Sequence, residues 1–370
     1  MDFVIVKNIK YYCYDIPLLS PLDINKGKTV NRTGIIIRLK DVEENTGFGE
    51  IAPLPGLHAE NIKTVIDFLD DIYKNIPGNS ISEYDVTSGK NLSQLLNIES
   101  LPPSVRFGTG MAILDLLANS KKTPLYKLYN TAYNNKVVVN GLLTGPPDDI
   151  LHNTKKMLSQ GYSTLKIKVG RQSVENDIAL VQKVRQLSGE KIMLRLDANR
   201  AWSLPDALHF AEQVTNAGIE YIEEPLKNTA ELPGFSKKSG LPVALDESLS
   251  QFDSADGSLP DWISAVILKP SVIGDINKTV QIIKQAKKQN IIPVLSSAFD
   301  SGLTLRMLAL LSSVFIPQDT AVGLNTYTWL KDDLLTIPFK VDQGIIDVEG
   351  LAKSHINLRS PVLSLLNRKK

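Results

Sequence analysis

The fold is decided by four short runs that each contain or end in charged residues: TLKIKVG (164–170), RLDANRAW (195–202), YIEEPL (221–226) and ALDES (244–248). Each contains aliphatic or aromatic residues typical of a buried strand. Similar runs precede Asn140, Lys269 and Ser296. From the second run onward their ends lie roughly 25 residues apart, about the length of one strand–helix unit. This alternation indicates a parallel sheet.

Polar side chains end nearly every run: Asn140, Lys166 and Lys168, Asp197, Glu223, Asp246, Lys269, and Ser296 and Ser297. An open sheet would not place charge at the end of nearly every strand, whereas parallel barrels assemble active sites at that end. With seven such runs and an eighth at 321–324, we predict an α/β protein whose residues 129–325 form a (β/α)7β TIM-like barrel.

Residues 1–128 lack this alternation and predict a separate α+β capping domain. Strand-like runs at 3–6 and 34–39 accompany helix-like segments that start near Ala59 and at 107–119. Segment 326–370 is too long for a simple end. We expect it to pack back against the capping domain.

Two segments of the capping domain, 20–33 and 47–58, carry the Gly and Pro residues typical of irregular loops that cover a site. The first contains Lys26, Lys28 and Arg32. If this segment closes over the barrel mouth, its cations can bind a substrate carboxylate distant from the strand ends. Solvated loop charges are the alternative interpretation.

The composition argues against nucleic-acid and membrane partners. Lys and Arg number 41 against 40 Asp and Glu, a formal charge of +1, so no net field attracts polyanions. The single cysteine, Cys13, forms no internal disulfide or paired-cysteine motif. Lys7 and Lys10 interrupt the apolar start, and no run has the length of a membrane helix. We expect a cytoplasmic protein with a small-molecule partner.

Asp197, Glu223 and Asp246 end three successive strands and should converge at one barrel mouth. Carboxylates packed together repel one another unless a cation lies between them. A hard divalent ion with oxygen ligands meets this need, and we predict Mg²⁺ or, alternatively, Mn²⁺. Each residue alone is as well explained as a helix N-cap or a surface carboxylate. The register of all three favours the metal site.

Lys166 and Lys168 lie two apart on one strand, so both side chains share a face, opposite the aliphatic residues that alternate with them. In a barrel the aliphatic face packs on helices, which directs both lysines inward. A solvated strand edge is the ordinary interpretation of such a pair, but here it faces carboxylates. Arg195 shares the inward parity of Asp197, and a nearby cation with partial burial lowers a lysine pKa, which suits a base. Such a site suits removal of a proton next to a carboxylate, with metal and cations stabilising the enediolate.

The chain resembles the enolase superfamily, in its muconate-lactonizing subgroup, through six runs in the same order and spacing: LKIKVG, RLDANRAW, YIEEPL, ALDES, ILKPS and LSSAFDSGL. GFGEIAPLPG (47–56) is similar to the family's capping-domain loop. The resemblance implies that Asp197, Glu223 and Asp246 are the metal ligands, that Lys168 is catalytic with Lys166 in support, that Lys269 lies across the site, and that Asn199 lies beside the metal. The four histidines fall outside the strand ends, so the histidine-based chemistry of this superfamily is not expected.

Within the subgroup, VNGLL (139–143), SSAFDSGL (296–303) and GLNT (323–326) resemble the o-succinylbenzoate synthase family. This implies a hydro-lyase of menaquinone biosynthesis that dehydrates 2-succinyl-6-hydroxy-2,4-cyclohexadiene-1-carboxylate to 2-succinylbenzoate, with Lys168 as base and then acid. Asp300 stands where the family has Glu, and Asn325 where Asp is common. We predict substrate contacts at Asn140, Arg195, Asn199, Ser296, Ser297 and Asp300.

Two other functions remain open. An N-acylamino acid racemase or dipeptide epimerase of the same superfamily would use Lys168 and Lys269 as opposed acid/base groups, although SSAFDSG has only one acid where dipeptide epimerases carry a DxD-type motif. A non-catalytic ligand-binding barrel is the alternative of another class. Loss of function would be expected to remove ligands or lysines first, and all are present. The sequence does not distinguish a monomer from a homo-oligomer.

Overall fold

The N-terminal part of the chain contains an antiparallel sheet and a long helix. The computed structural model describes residues 3–23, 28–129, 132–252, 257–360 and 363–366. The elements in this part are β1 (Phe3–Asp23), β2 (Lys28–Asp41), β3 (Thr46–Ile51), α1 (Ile62–Asn75), β4 (Ser80–Ser82), α2 (Glu83–Thr87), α3 (Leu92–Leu95), α4 (Pro103–Ser120) and a 3-10 helix at Leu125–Tyr129. β1, β2 and β3 pair in that order, and β4 pairs with β1.

Strands and helices then alternate. The elements are β5 (Lys136–Val138), β6 (Gly141–Leu143), α5 (Pro147–Ser159), β7 (Thr164–Lys168), α6 (Val174–Ser188), β8 (Met193–Asp197), α7 (Leu204–Val214), β9 (Ile219–Glu223), α8 (Leu232–Ser239), β10 (Val243–Leu245), β11 (Ala265–Leu268), α9 (Pro270–Ile273), α10 (Ile276–Lys288), β12 (Ile292–Leu295) and α11 (Gly302–Phe315). Short 3-10 helices lie at Thr215–Ala217, Thr229–Glu231, Leu249–Gln251 and Asn325–Trp329. β13 (Ile345–Asp347), α12 (Val348–Lys353) and β14 (Leu363–Leu365) follow.

The parallel sheet curls and closes on itself. Its seven strands follow the order β12–β11–β10–β9–β8–β7–β6. The gap between its edges is bridged by Val322, whose N–H donates to Val138 O at 2.8 Å, and by Gly323, whose N–H donates to Leu295 O at 2.8 Å. The predicted eighth strand at 321–324 is thus a pair of bridging residues. The predicted capped, TIM-like barrel is confirmed.

The two faces of the barrel strands differ in composition. Outward side chains such as Leu165, Leu196 and Val266 are completely buried. A separate interior cluster comprises Tyr221, Ala244, Ala265, Ile267 and Val294. This layer fills the barrel beneath the charged residues, so the barrel is a packed core with a site at one end rather than a pore.

Three local predictions are wrong. The first barrel strand in the parallel sheet is Gly141–Leu143, so Asn140 precedes this strand instead of ending it. Segment 20–33 lies mostly in β1 and β2, and 47–51 lies in β3. Gly and Pro content suggested loops, but Gly47 and Gly49 are required in a strand because α4 packs against their backbone.

The C-terminal segment contacts both parts of the chain. β14 pairs with β1 of the N-terminal sheet, and β13 pairs with β5. The division at 1–128, 129–325 and 326–370 stays a prediction. None of the helices in the described part of the chain combines the length and apolar character that a membrane span needs.

A close backbone approach in the N-terminal part joins β3 to α4. A Cβ atom added at Gly49 would lie 1.9 Å from Gly108 O and 2.8 Å from Ala112 N. Both obstacles are backbone atoms, which cannot rotate away. The absence of a side chain at Gly49 therefore fixes how the sheet packs on the helix that supports it.

We predict that Gly49→Ala destabilises the protein by about 1–3 kcal/mol, because the added methyl group forces β3 away from α4. Chemical denaturation followed by circular dichroism measures the change. Gly234→Ala is the matched control, since a Cβ at Gly234 in α8 meets no atom within 4 Å. Alanine should be neutral there or stabilise the helix by up to about 1 kcal/mol. Equal stability of the two variants would contradict the packing account.

Candidate active site and metal centre

The carboxyl ends of the barrel strands open into a cavity of about 1280 Å³. Six charged residues of its lining come from four barrel strands, β7, β8, β10 and β11, or from the turns that follow them: Lys166, Lys168, Asp197, Asp246, Glu247 and Lys269. Leu54 and Leu57 of the N-terminal part and Val341 of the C-terminal segment also line it. All three predicted parts of the chain therefore contribute to one cavity.

The three predicted metal ligands lie on adjacent strands. Asp197 ends β8 and is in register with Glu223 at the end of β9, while Asp246 follows β10 directly. Asp197 and Glu223 are each only 1% exposed. The structure therefore brings three carboxylates together at the barrel mouth, where their charges require compensation.

Lysine ammonium groups lie against these carboxylates. Lys166 Nζ is 2.8 Å from Asp197 Oδ2 and 2.6 Å from Glu223 Oε2. Lys168 Nζ donates to Asp197 Oδ2 at 2.6 Å. Lys269 Nζ donates to Asp246 Oδ2 on the other side of the cluster. All three predicted lysines thus meet the predicted metal ligands directly.

Burial and charge act against each other on the ionisation of the site. Burial raises the pKa of Glu223 well above its usual range, and the charge of Asp197 adds to this. Burial also favours protonated Asp197, but Lys166 and Lys168 outweigh it and hold the pKa of Asp197 far below its usual range. The charge balance is therefore uneven, because Asp197 contacts two ammonium groups and Glu223 contacts one.

The expectation that Arg195 lowers lysine pKa values is wrong for Lys166 and Lys269. Burial lowers both lysine pKa values, but the carboxylates outweigh it. Asp197 and Glu223 raise the pKa of Lys166. Asp246 and Glu247 raise that of Lys269.

Arg195 does not line the substrate cavity. Its guanidinium donates to Glu220 Oε2 at 2.5 Å and to Ala321 O at 2.6 Å, and it lies 5.0 Å from the centre of the Tyr221 ring. The side chain is 1% exposed and is absent from the cavity lining. The predicted substrate contact of Arg195 is thus corrected to a structural role beneath the site, where the cation joins β8 to β9.

The predictions for Asp300 and Arg32 are corrected in the same way. Asp300 does not line the cavity and instead pairs with Arg32 at 3.3 Å. Arg32 is buried on β2, so it is not part of a closing loop. Lys28 is exposed on β2, and Lys26 lies outside the described residues.

The other four predicted substrate contacts line the cavity: Asn140, Asn199, Ser296 and Ser297. Asn199 Oδ1 accepts from Lys168 Nζ at 2.6 Å, and its N–H donates to Asp197 Oδ1 at 3.1 Å. The Ser297 hydroxyl lies 2.5 Å from the hydroxyl of Thr326. Asn199 therefore orients a lysine and a carboxylate, while the serines form part of the opposite wall.

Sequence reasoning missed two acidic residues. Glu224 is fully buried and accepts from Asp246 N–H at 2.9 Å, from the Ser248 hydroxyl at 2.5 Å, and from Arg200 Nε at 3.1 Å. Glu224 therefore fixes the turn that carries Asp246. Glu247 lines the cavity, and burial followed by the charge of Asp246 raises its pKa.

Both acids stood in the quoted runs YIEEPL and ALDES. Strand parity assigns the neighbour of an inward residue to the outer face. That rule stops where a strand ends, and Glu224 has a φ of 45°, outside the extended region. Two consecutive acidic residues at the end of a strand were the sequence pattern that could have identified both.

The donor atoms of the three predicted ligands suit a hard divalent cation. Among the described residues, no group of three His, Cys, Asp or Glu side chains is already arranged around a common point. Lysine ammonium groups lie against the carboxylates instead. Asp197, Glu223 and Asp246 nevertheless offer only oxygen donors, which Mg²⁺ prefers. The raised pKa of buried Glu223 shows that the surrounding lysines do not fully offset the repulsion and burial of this carboxylate.

Two known families match this chain, one in the N-terminal part and one in the barrel. Residues 149–351 match the family described as "Enolase C-terminal domain-like", and residues 6–116 match "MenC, N-terminal domain". The o-succinylbenzoate synthase of Aliivibrio salmonicida is 30% identical over 334 residues, covering 90% of this chain and 94% of that protein. The chloroplastic protein PHYLLO of Arabidopsis thaliana is also 30% identical, over 89% of this chain but only 21% of the plant protein.

Solved structures agree in fold. The L-Ala-D/L-Glu epimerase of Bacillus subtilis has a TM-score of 0.79 at 20% identity, covering 93% of this chain and 96% of that one. A muconate lactonizing enzyme from Pseudomonas fluorescens has a TM-score of 0.81 at 20% identity, covering 98% and 97%. At such identities the likeness concerns the fold alone.

We predict that Asp246→Asn weakens Mg²⁺ binding at least about tenfold without unfolding the barrel, because one anionic oxygen donor is lost from the cluster. Isothermal titration calorimetry measures the affinity, and circular dichroism checks the fold. Asp148→Asn removes an equal charge from an exposed residue in the first turn of α5. That control should retain the wild-type affinity. If Asp246→Asn binds Mg²⁺ as tightly as the wild type, Asp246 is not a metal ligand.

Proposed function

The chain belongs to the enolase superfamily, and from this premise we propose that it is an o-succinylbenzoate synthase. The proposed reaction is the dehydration of 2-succinyl-6-hydroxy-2,4-cyclohexadiene-1-carboxylate to 2-succinylbenzoate. Full-length bacterial relatives at 30% identity are named for this activity. The match of 6–116 to the "MenC, N-terminal domain" family extends the support to the part of the chain outside the barrel.

The observation that carries the proposal is the placement of amines on two sides of a carboxylate cluster. Lys168 ends β7 and contacts Asp197, while Lys269 follows β11 and contacts Asp246. Three strands, β8, β9 and β10, separate β7 from β11 in the sheet. A substrate carboxylate at the cluster would therefore have a proton-transfer group on one side and a second cation on the other.

Lys168 is proposed to move the proton. In its neutral form, Nζ takes the proton from the carbon that bears the substrate carboxylate, which leaves an enediolate. The electron pair of the enediolate then expels the hydroxyl group from the neighbouring ring carbon. The Lys168 ammonium returns its proton to that hydroxyl, so water leaves and the ring becomes aromatic. Asn199 Oδ1 and Asp197 Oδ2 both lie 2.6 Å from Nζ and orient it.

Lys166 and Lys269 are proposed to stabilise the negative charge that develops on the substrate carboxylate. Both ammonium groups are held in place by carboxylates before the reaction begins, so little reorganisation is needed. Asp197, Glu223 and Asp246 would hold Mg²⁺. Bound there, the ion would supply Lewis-acid stabilisation of negative charge on the substrate carboxylate.

The rest of the substrate is proposed to lie against the cavity walls away from the carboxylate cluster. Leu54, Leu57 and Phe299 offer apolar contacts for a ring, and Ser297 and Thr326 offer hydroxyl groups. Ligand pockets commonly combine such an apolar lining with a few polar groups.

Racemisation of an N-acylamino acid is a second candidate, because the lysines on two sides of the cluster also suit two-base proton exchange. The reactions differ in what Lys269 must do. Dehydration needs Lys269 only as a cation, since the proton returns through Lys168 to the leaving group. Racemisation needs Lys269 to carry a proton itself.

We predict that Lys168→Ala lowers kcat for dehydration by about 10²–10⁴, because the proton carrier is lost. Lys269→Ala should also slow dehydration, through the loss of several kcal/mol of electrostatic stabilisation, about 3 kcal/mol for comparable groups. Formation of the aromatic product, followed by ultraviolet absorbance, measures both. Lys155→Ala, on the exposed face of α5, is the control and should match the wild type.

Solvent deuterium exchange at the α-carbon of an N-succinylamino acid separates the two candidates. If this chain is a two-base racemase, the wild type exchanges both enantiomers rapidly, and Lys269→Ala retains exchange of one through Lys168. For a synthase we expect exchange to be slow relative to dehydration. Normal dehydration by Lys168→Ala would contradict the proton-transfer role itself.

A further inference from the structure

A buried ion pair joins the N-terminal part of the chain to the barrel beside the catalytic cavity. Arg32 on β2 is 1% exposed, and Asp300, in the turn between β12 and α11, is 2% exposed. Arg32 Nη2 lies 3.3 Å from Asp300 Oδ1. Neither side chain lines the cavity. The pair therefore does not form part of the cavity surface.

The Arg32 guanidinium also binds backbone carbonyls from both sides of this boundary. Nε donates to Phe299 O at 2.9 Å, Nη1 donates to Pro53 O at 3.1 Å, and Nη2 donates to Ala52 O. The planar guanidinium has five N–H donors in a fixed arrangement, which a lysine ammonium cannot reproduce. One side chain therefore fixes the segment before Leu54 relative to the turn after Ser297.

Asp300 fixes the same turn from within. Its Oδ2 accepts from Ala298 N–H at 2.9 Å. Phe299, between them, has a φ of 57°, an unfavourable value for a residue with a side chain. Such a conformation persists only when surrounding contacts determine it. Here those contacts are the Arg32 bond to the Phe299 carbonyl and the Asp300 bond to the preceding residue.

The consequence of this conformation lies in the cavity wall. Phe299 lines the cavity, and its ring packs edge-on against Trp329 with ring centres 5.7 Å apart. Leu54 and Leu57 also line the cavity. Leu54 directly follows Ala52 and Pro53, whose carbonyls Arg32 binds, and Leu57 lies three residues further along. The ion pair therefore lies behind the apolar wall on both sides of the boundary.

A second buried contact secures the same boundary. Glu50 on β3 accepts from the Tyr14 hydroxyl at 2.5 Å and from the Ser301 hydroxyl at 2.7 Å. It also accepts from Thr304 N–H at 3.3 Å, so its negative charge lies at the N-terminus of α11. The turn at 297–301 is thus held between Arg32 and Glu50.

We infer that Arg32 and Asp300 are positioning residues that fix the segment carrying Leu54 and Leu57 relative to Phe299 and so set the apolar wall of the substrate cavity. They act through these residues and do not bind the substrate carboxylate. The kinetic consequence rests on the proposed function, whereas the coupling of the two segments does not. Loss of the pair should weaken substrate binding more than it slows the chemical step, because the charged cluster lies on other strands.

Hydrogen–deuterium exchange tests the coupling without any substrate. In Arg32→Met, amide exchange should rise about tenfold or more in both 52–58 and 297–304, with little change in β7 to β9. Asp300→Asn is the milder variant, because its amide oxygen can still accept from Ala298. Lys10→Met, exposed on β1, is the control. Unchanged exchange in either segment of Arg32→Met would overturn the inference.

Kinetics with two substrates test the role. Arg32→Met should raise KM about tenfold and change kcat less than about threefold, and by the same factors for an analogue with a butanoyl group in place of succinyl. A KM effect that disappears with this analogue would make Arg32 a ligand of the distal carboxylate and overturn the inference. KM of the double variant Arg32→Met/Asp300→Asn should rise no more than KM of Arg32→Met alone, because the two residues act as one pair. Absence of dehydration by the wild type would reject the proposed function while the exchange result still decides the coupling.

Discussion

Charge compensation among buried carboxylates is the constraint on which the site depends. Asp197, Glu223 and Asp246 end or follow neighbouring strands of one sheet, and a parallel barrel leaves them no freedom to separate. Lys166, Lys168 and Lys269 supply positive charge at distances short enough to matter, yet Glu223 keeps a raised pKa. The same three lysines that compensate the acids are the groups to which we assign proton transfer and charge stabilisation.

The barrel carries the charged cluster, and the N-terminal part of the chain supplies part of the cavity wall around it. This division requires a rigid boundary, because a wall that moves changes which substrate fits. Buried polar contacts from Arg32 and Glu50 provide that rigidity at the turn after β12. Gly49 has no side chain, and this allows the sheet that carries Glu50 to pack directly against the backbone of α4. A backbone contact in the N-terminal sheet thus bears on the shape of the substrate cavity.

Sequence periodicity predicted the barrel because strand ends and polar residues coincide, from Lys168 through Ser297. It correctly predicted that the charged residues converge at one barrel mouth, although their ligand and catalytic roles stay predictions. The sequence misplaced Arg195 because parity states which face a side chain points to, not its depth in the barrel. Asp300 and Arg32 were misassigned for another reason. The two residues pair with each other across 268 positions of sequence, and no local pattern indicates such a contact. Glu224 was missed because its role depends on a turn conformation after the strand ends.

The central claim is that this arrangement of lysines and carboxylates performs dehydration rather than proton exchange alone. The most direct measurement compares kcat/KM of the purified wild-type protein, with Mg²⁺, for the cyclohexadiene carboxylate and for both enantiomers of an N-succinylamino acid. We expect a kcat/KM for dehydration of about 10⁴ M⁻¹s⁻¹ or higher, in the range of ordinary enzymes. The kcat/KM for racemisation should be well below this value. Slow dehydration accompanied by rapid interconversion of the two enantiomers would contradict the account.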